Sequence, residues 1–246
     1  MIDIKLFVSD LDGTLLGTTT QNITFSTRWL NIPADRRPVL IYSTGRPLQN
    51  TLQAIEEFQL LPPDYIISDV GTQVYDIQKG SRLDGYSRYI HEDWDLLTIE
   101  DAIQSLQLDI RKQPDSWQSE YKSSWYLEHA PPIWIRQIQK ALDRAGLKTT
   151  VVYSSNRDLD VLPLRANKGG ALKWMMHHLH VPPHQTLAAG DSGNDQAMFL
   201  IEGVHGIIVN NAQPELNKFL QHPNIYFTSA SGTDGVLEGL AHFKVF

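Results

Sequence analysis

The 246-residue sequence contains no cysteine, and this absence excludes disulfide bonds, thiolate nucleophiles and thiolate metal ligands together. Positive charge is also scarce, because 21 lysines and arginines stand against 28 aspartates and glutamates, giving a formal net charge of -7. Such a chain lacks the basic surface that neutralises a nucleic-acid backbone, so we expect no nucleic-acid partner. The lack of cysteine fits a reducing compartment, and we expect a cytoplasmic protein.

Long hydrophobic runs are absent as well. No stretch reaches the about 18 consecutive apolar residues that a membrane-spanning helix requires. The first apolar run soon meets Asp10 and Asp12, so it is too short and too acidic for a signal peptide, and we expect no membrane association. With 41% hydrophobic and 20% charged residues, the composition is that of an ordinary globular protein, which we expect to be monomeric.

Short apolar runs alternate with segments of helical spacing at both ends of the chain. The runs predict buried strands, several of which end in glycine-containing turns, at 5–9, 39–44, 65–68, 186–189, 206–209 and 225–227. Strands separated by helices imply right-handed crossovers and a parallel sheet. We therefore predict an α/β protein with a Rossmann-like parallel-sheet core.

The middle of the chain has a different character. Aromatic-rich alternating stretches at 121–127 and 149–154 flank an amphipathic helix over 133–145. This pattern predicts an α+β cap domain inserted into the core. We place the cap at 83–160 and the core at 1–82 and 161–246.

Polar side chains that could bind a ligand or take part in catalysis follow several of the predicted strands. In an open parallel sheet, ligands bind beyond the carboxyl ends of the strands. Lys168 opens the helix before a late strand, with Asn167 as its N-cap. The other candidates directly follow strands, namely Asp10, Asp12, Thr44, Gly45, Asp191 and Asp195.

These residue types together favour phosphate chemistry at a metal ion. Carboxylates brought together from Asp10, Asp12 and Asp191 would repel one another, and a hard divalent cation such as Mg²⁺ removes that repulsion. Lys168 and the Thr44 hydroxyl can hold phosphate oxygens and stabilise transition-state charge. Alternate residues of an extended chain point the same way, so one of Asp10 and Asp12 can be a nucleophile and the other a general acid.

The segments DLDGTL, STGR, NKGG and GDSGND resemble, in order and spacing, the four motifs of the haloacid-dehalogenase superfamily. The resemblance spans nearly the whole chain. It implies that Asp10 is the nucleophile, and that Asp12 protonates the leaving group and later activates water. It also implies that Thr44, Gly45 and Lys168 bind phosphate.

The same resemblance implies a magnesium cofactor. Its ligands are expected to be the Asp10 carboxylate, the Asp12 carbonyl and Asp191, with Asn194 and Asp195 supporting. The insertion resembles the cap of the sugar-phosphatase branch of the superfamily.

Within the superfamily, the segments YKSSWYLE, SSNRDLDVLPLRANKGGAL, GDSGND and VNNAQPEL resemble the sucrose-phosphate phosphatases. It implies hydrolysis of sucrose 6-phosphate to sucrose and phosphate, within sucrose biosynthesis, through an aspartyl-phosphate intermediate. It also implies association with a sucrose-phosphate synthase. The candidate sugar contacts are Arg46, Gln73, Lys122 and Asn167.

Other functions remain open at this level. The same fold can serve a phosphatase or a phosphomutase that acts on another sugar phosphate, or a catalytically silent module that binds one. Retention of both Asp10 and Asp12 argues against the silent module, because a pure binder gains nothing from a general acid. The acidic motif does not fit a calcium loop, because its glycine is the fourth residue and the EF-hand pattern needs it at the sixth.

Several residues have a plain structural interpretation beside the functional one. GDSG would make Ser192 a protease nucleophile, but no histidine and aspartate partners can be assigned. Asp158 and Asp160 could contact substrate or anchor the hinge. The remaining sets are three histidines without an acidic partner and cap aromatics that we expect mostly to pack, namely His177, His178, His180, Trp117, Tyr121, Trp125, Tyr126 and Trp134.

Overall fold

The computed structural model describes residues 3–91 and 94–246, so residues 1–2 of the predicted core and residues 92–93 of the predicted cap lie outside the described residues. Strands are numbered in chain order: β1 (Leu6–Ser9), β2 (Val39–Ser43), β3 (Tyr65–Ser68), β4 (Gln73–Asp76), β5 (Ser81–Arg82), β6 (Arg111–Lys112), β7 (Ser123–Tyr126), β8 (Thr149–Ser154), β9 (Asp158–Pro163), β10 (Thr186–Gly190), β11 (His205–Ile208) and β12 (Ile225–Phe227). The helices are α1 (Thr19–Leu30), α2 (Leu48–Glu57), α3 (Asp84–Ile90), α4 (Leu96–Gln104), α5 (Pro132–Arg144), α6 (Lys168–His178), α7 (Gln196–Phe199) and α8 (Gly232–His242).

The main sheet has eight strands in the order β12-β11-β10-β1-β2-β3-β4-β5. The strands from β12 to β3 are parallel, as predicted. The register pairs Ser9 of β1 with Ala189 of β10 and Tyr42 of β2. The carboxyl ends of these three strands therefore meet at one edge of the sheet.

Both faces of this sheet are covered by helices, which explains why its strands are continuous apolar runs. Leu6 and Val8 of β1 pack on one face in a cluster that includes Met175 of α6. Phe7 packs on the other face with Phe25 of α1 and Leu240 of α8. Alternate side chains of β1 thus pack into two different hydrophobic clusters, one on each face of the sheet.

The edge of the sheet at β4 and β5 departs from the parallel pattern. β4 pairs antiparallel with β3 on one side and with β5 on the other. The sequence analysis did not predict these two strands, because β4 has four residues and β5 has two, too few for a periodic signal.

The insertion forms a separate antiparallel sheet in the order β6-β7-β9-β8, which we call the cap together with α4 and α5. Ile103 of α4 and Ile138 of α5 pack against Trp125 and Leu159 of this sheet. The helix predicted at 133–145 is α5. An α+β insertion in an α/β core is therefore confirmed.

The division of the chain at residues 82 and 160 stays a prediction. β9 spans Asp158–Pro163, so the cap sheet continues past residue 160. Tyr86 and Ile90 of α3 pack in the cluster of Leu6 and Val8 rather than in the cap cluster. Within the described residues, the structure has no helix that is both long enough and apolar enough to span a membrane.

Candidate active site

Asp10 lies at the carboxyl end of β1, in the middle of the main sheet. Its N–H donates to the carbonyl oxygen of Ala189 at 3.0 Å, which fixes it against β10. Its Oδ1 atom accepts a hydrogen bond from Lys168 Nζ at 2.6 Å, and its Oδ2 atom accepts one from Thr14 Oγ1 at 3.3 Å. Because the side chain is only 6% exposed, the carboxylate has one defined orientation.

Gly13 lets the chain turn tightly behind Asp10. Its φ is +78°, and a Cβ atom added there would lie 2.4 Å from Asp191 Oδ2. The Gly13 carbonyl accepts a hydrogen bond from Asn211 Nδ2 at 2.8 Å. Only glycine allows the left-handed backbone and the close approach to Asp191 at the same time.

Lys168 is the first residue of α6, where the Asn167 side chain caps the helix by accepting from Gly170 N at 2.9 Å. The Lys168 side chain is fully buried, and its Nζ atom lies 2.6 Å from Asp10 Oδ1 and 2.7 Å from Asp195 Oδ1. Burial alone would lower the pKa of Lys168. The two carboxylates outweigh burial and hold that pKa above its ordinary value, so the lysine is a permanent cation.

Asp195 organises the loop that follows β10. Its Oδ1 atom accepts from Lys168, while its Oδ2 atom accepts from the backbone N–H groups of Asp191 at 3.0 Å and Ser192 at 3.1 Å. Both oxygens are therefore engaged within the protein. This arrangement fits the supporting role that we predicted for Asp195 better than direct ligation of a metal ion.

The carboxylates of Asp10, Asp191 and Asp195 form an acidic cluster whose ligand atoms lie within 4.8 Å of one another. Burial raises the pKa of Asp10 well above the ordinary carboxylate value, although Lys168 acts in the opposite direction. Burial, followed by the charge of Asp195, raises the pKa of Asp191 to about 6. The buried Oδ1 atom of Asn194 has no hydrogen-bond partner. An electrostatically strained all-oxygen donor set with a free amide oxygen fits a hard divalent cation.

The loop of residues 44–46, here called the phosphate loop after the role predicted for it from the sequence, follows β2. The Thr44 side chain is fully buried, and its Oγ1 atom accepts from Arg46 N at 3.1 Å. A hydroxyl that accepts this bond can still donate its own proton to a phosphate oxygen. Gly45, one of the three residues predicted to bind phosphate, lines the same cavity as Asp10, with Arg46 beside it. Within the described residues, Thr44 and Lys168 do not line that cavity, and phosphate binding stays a prediction.

Asp12 and Arg46 are bound to each other. Arg46 Nε donates to Asp12 Oδ2 at 2.7 Å, and Arg46 Nη2 donates to Asp12 Oδ1 at 2.5 Å. The Asp12 side chain is 51% exposed, so it lies at the cavity mouth rather than in the buried cluster. The hydrogen bonds that Arg46 donates to Asp12 raise the pKa of Arg46. Sequence reasoning singled out both residues but not their contact.

A cavity of about 320 Å³ lies between the main sheet and the cap. Core and cap residues contribute to its walls, namely Asp10, Asp12, Gly45, Arg46, Val70, Asp191, Ser192 and Asn194 from the core and Gln113, Trp117, Lys122, Ser124, Tyr126, Ser154, Ser155, Arg157, Asp158 and Asp160 from the cap. The core wall therefore carries the carboxylates of Asp10, Asp12 and Asp191. The other wall carries amide, hydroxyl, charged and aromatic groups that suit a sugar.

Two of the four predicted sugar contacts, Arg46 and Lys122, line this cavity. Among the residues that the structure describes, Gln73 and Asn167 do not line it. Gln73 Nε2 donates to Asp69 Oδ2 at 3.0 Å, and the Asn167 side chain caps α6. In this conformation their amide groups form hydrogen bonds within the protein. Their contact with a sugar stays a prediction.

Among the cap aromatics, Trp117 and Tyr126 line the cavity, whereas Tyr121 and Trp125 are buried in the hydrophobic clusters. Both acids whose role was open, Asp158 and Asp160, also line the cavity. Asp158 accepts from Gln113 and Arg157, and Asp160 accepts from Ser124. The three histidines at the end of α6 are not part of the metal-competent group found in the described residues.

Thr14 and Asn211 are among the residues that shape the site and that sequence reasoning missed. Thr14 Oγ1 lies 3.3 Å from both Asp10 Oδ2 and Asp191 Oδ1 and bridges the two acids. Asn211 joins the Gly13 carbonyl to Gly232 N, accepting from the latter at 2.8 Å. Both stand inside segments that carried the resemblance, DLDGTL and VNNAQPEL, but nothing in their spacing indicates these contacts.

Comparison with known proteins identifies the lineage of this site. A family model described as sucrose-6F-phosphate phosphohydrolase matches residues 4–244. The mannosylfructose-phosphate phosphatase of Agrobacterium fabrum is 37% identical over 244 residues, which cover 99% of this chain and 98% of that protein. Sucrose-phosphatase 1 of Nicotiana tabacum is 29% identical over 253 residues, which cover 98% of this chain and 59% of that protein.

A solved structure shows the same architecture. The X-ray structure of the sucrose-phosphatase from Synechocystis sp. PCC6803, in complex with sucrose and phosphate, matches with a TM-score of 0.89 and 31% identity over 99% of each chain. The predicted α/β fold and phosphatase class are confirmed. The protein is therefore a phosphoric monoester hydrolase of the haloacid-dehalogenase superfamily that acts on a sugar phosphate, and it belongs to the sucrose-6F-phosphate phosphohydrolase family.

Proposed function

We propose that this phosphatase is magnesium-dependent and hydrolyses sucrose 6-phosphate to sucrose and phosphate through an aspartyl phosphate at Asp10. The observation that carries the proposal is the setting of the Asp10 carboxylate. It is buried, held by Lys168 at 2.6 Å, and faces the cavity that the phosphate loop and the cap enclose. A carboxylate fixed in this way is presented to phosphorus as a nucleophile.

Asp10, Asp191 and Asn194, with the Asp12 backbone carbonyl, would hold the Mg²⁺ ion. The bound ion would neutralise the carboxylates and polarise the phosphoryl group. Lys168 and the phosphate loop would hold the remaining phosphoryl oxygens and stabilise the charge that develops on them.

The reaction would run in two displacements. An Asp10 oxygen forms a bond to phosphorus while the bond from phosphorus to the sugar oxygen breaks, and protonated Asp12 gives that oxygen its proton. Asp12 then takes a proton from water, whose oxygen attacks phosphorus and releases Asp10 and inorganic phosphate. Because Asp12 is bound by Arg46 in this conformation, it must turn toward the sugar oxygen to act.

A second substrate has specific support. The Agrobacterium relative named for mannosylfructose phosphate is 37% identical over 98% of its length, against 31% for the cyanobacterial sucrose-phosphatase. Both sugars are disaccharides that contain fructose, so one cap could accept either hexose beside it. We therefore keep mannosylfructose phosphate as the alternative substrate.

A phosphate-release assay over a substrate panel tests the proposal. The panel contains sucrose 6-phosphate, mannosylfructose phosphate, fructose 6-phosphate and glucose 6-phosphate, each with Mg²⁺ and with EDTA. We expect the highest kcat/KM on sucrose 6-phosphate and no turnover with EDTA. A higher kcat/KM on mannosylfructose phosphate would select the alternative, and full activity in EDTA would refute the magnesium assignment. Product analysis for isomerised sugar phosphate would reveal a phosphomutase.

A further inference from the structure

An ion pair joins the cap to the core beside the phosphate loop. Lys122 Nζ of the cap lies 3.0 Å from Asp69 Oδ1 of the core, and the two side chains are 1% and 3% exposed. The same ammonium group donates to the carbonyl oxygen of Gly45 at 3.4 Å. A single cap lysine therefore contacts both the phosphate loop and a buried core acid.

Lys122 also interacts electrostatically with an acid of the cap, Asp160. Burial raises the pKa of Asp160, and the positive charge of Lys122 acts against that rise. If the cap moved away from the core, Lys122 would keep Asp160 as a counter-charge. Of the carboxylate contacts seen in the described part of the chain, Asp69 would keep the hydrogen bond from Gln73. Separation of the cap from the core would therefore leave Asp69 without the counter-charge of Lys122, whereas Lys122 would keep one.

Asp69 begins a turn with an unfavourable backbone. Asp69, Val70 and Gly71 have φ values of +51°, +60° and +102°, and a β-branched residue such as Val70 rarely adopts the left-handed region. Such a conformation persists only where surrounding contacts impose it. At this turn, the Asp69 carboxylate is bound by the cap.

The turn contacts two parts of the active site. Asp69 N donates to the carbonyl oxygen of Arg46 at 3.0 Å, and Val70 N donates to that of Thr44 at 3.0 Å. Gly71 packs so closely on the start of α6 that an added Cβ atom would lie 2.3 Å from the carbonyl carbon of Asn167. Displacement of the turn would therefore move the phosphate loop and disturb the start of α6.

We propose that Asp69 is a positioning residue that couples the closed cap to the phosphate loop, by pairing with Lys122 and holding the turn 69–71 against residues 44–46. Asp69 does not touch the reacting atoms. It acts through Thr44, Gly45 and Arg46. The inference rests on the phosphatase activity and on no particular sugar.

A double-mutant cycle tests the coupling. Asp69→Asn and Lys122→Met each remove one charge, and each is expected to lower kcat on sucrose 6-phosphate by about 30-fold or more, because a misplaced phosphate group reacts slowly. The double variant is expected to lose little more than either single variant, because the pair acts as a unit. Lys122→Arg keeps the charge and should restore most of the activity. Additive losses, or a Lys122→Arg variant as poor as Lys122→Met, would overturn the proposal.

The matched control is Lys112→Met, which removes a cap lysine that pairs with Glu100 at 2.5 Å within the cap. It should leave kcat unchanged. Small-angle X-ray scattering of the substrate-free proteins provides a second readout that a merely stabilising ion pair would not move. Asp69→Asn and Lys122→Met should have a larger radius of gyration than the wild type and Lys112→Met, and equal radii would count against the coupling.

p-Nitrophenyl phosphate separates this proposal from the choice of substrate. If the wild type does not hydrolyse sucrose 6-phosphate, the substrate assignment fails, while non-additivity on p-nitrophenyl phosphate and the scattering result still support the coupling. If sucrose 6-phosphate is hydrolysed but the cycle is additive, only the coupling fails.

Discussion

The guanidinium group of Arg46 binds both carboxylate oxygens of Asp12, at 2.7 and 2.5 Å, across the loops that follow two neighbouring strands. Two-point contacts of this kind fix orientation as well as charge. Arg46 therefore sets where the proposed general acid rests before substrate arrives. If Asp12 is the general acid, as we propose, the pairing would give Arg46 a part in proton transfer beside the sugar contact expected from the sequence.

Replacement of Arg46 by methionine tests this relationship. We expect kcat on the sugar phosphate to fall about 10- to 100-fold, because Asp12 would no longer be held at the cavity mouth, from which it turns toward the sugar oxygen. p-Nitrophenyl phosphate should be affected less, because its leaving group departs without a proton. Steady-state kinetics on both substrates provide the measurement, with Arg88→Met on the exposed surface of α3 as the control. Equal losses on the two substrates would contradict the role in proton transfer.

Replacement of Asp10 by asparagine tests the nucleophile. Turnover should fall by more than about 10³-fold, because no other group in the cluster can replace the attacking oxygen. The fold should persist, and without metal the melting temperature should stay equal or rise, because the substitution removes one charge from a repulsive acidic cluster. Kinetics and circular dichroism melting measure the two effects, and substantial activity in the purified variant would refute the assignment.

Gly13→Ala separates backbone strain from site geometry. The left-handed φ should cost about 1–2 kcal/mol of unfolding free energy, and the new Cβ atom would lie 2.4 Å from Asp191 Oδ2, so metal binding and activity should be lost as well. Gly146→Ala is the matched control, because Gly146 has a φ of +80° and no atom within 4 Å of the added Cβ. It should lose similar stability in urea denaturation but keep its kcat, and an active Gly13→Ala variant would contradict the assigned geometry.

Stabilisation by Mg²⁺ should depend on pH. The folded pKa of Asp191 is raised to about 6 from an ordinary value of 3.8. Its contribution to the stability of the metal-free protein is therefore fully present below pH 3.8 and is lost as the pH rises through about 6. Protons compete with the cation below that pH, so Mg²⁺ should raise the melting temperature more at pH 8 than at pH 5.

Differential scanning fluorimetry with Mg²⁺ and with EDTA measures this difference. Asp191→Asn is the control and should lose the Mg²⁺ response at both pH values. A response of equal size at pH 5 and pH 8 in the wild type would show that the ion binds elsewhere.

Glu238 provides a pH test remote from the cavity. Its carboxylate accepts from Ser229 N, Ala230 N and Tyr226 OH, and these bonds, led by the one from Ser229, lower its pKa from 4.5 to about 2. Because the folded pKa is lowered, the stabilisation is present above pH 4.5 and is lost as the pH falls toward 2.

Glu238→Gln should therefore cost about 1 kcal/mol of unfolding free energy at pH 7, allowing for solvent screening, and the difference should shrink by pH 3. Urea denaturation at the two pH values provides the measurement, with the exposed Glu202→Gln as the control. A difference that is independent of pH would rule out the ionised carboxylate as the cause.

The sequence predicted the parallel core and the convergence of Asp10, Lys168 and Asp191, because strand order and strand ends follow from apolar runs and turn residues. It did not predict that Arg46 binds Asp12, that Thr14 bridges two acids, or that Lys122 pairs with Asp69. Those contacts join residues that are distant in the chain or depend on side-chain rotamers. Periodicity does not encode either property.

The Gln73 and Asn167 amides illustrate the same limit. Both are predicted sugar contacts, and in this conformation they are bonded to Asp69 and to the start of α6. A polar residue whose neighbours in the sequence belong to an active site can have its own polar atoms occupied by local hydrogen bonds. Only the three-dimensional arrangement shows whether it is free for a ligand.

The bond from Lys122 to the Gly45 carbonyl has a practical consequence for protein engineering. Cap sequences could be exchanged between relatives to change the sugar preference of the enzyme, because the acidic cluster found in the described residues contains no cap residue. A chimera whose donor cap lacked a cation at this position would lose the anchor on the phosphate loop. Libraries for new sugar preference should therefore vary Gln113, Trp117 and Tyr126 while retaining the lysine.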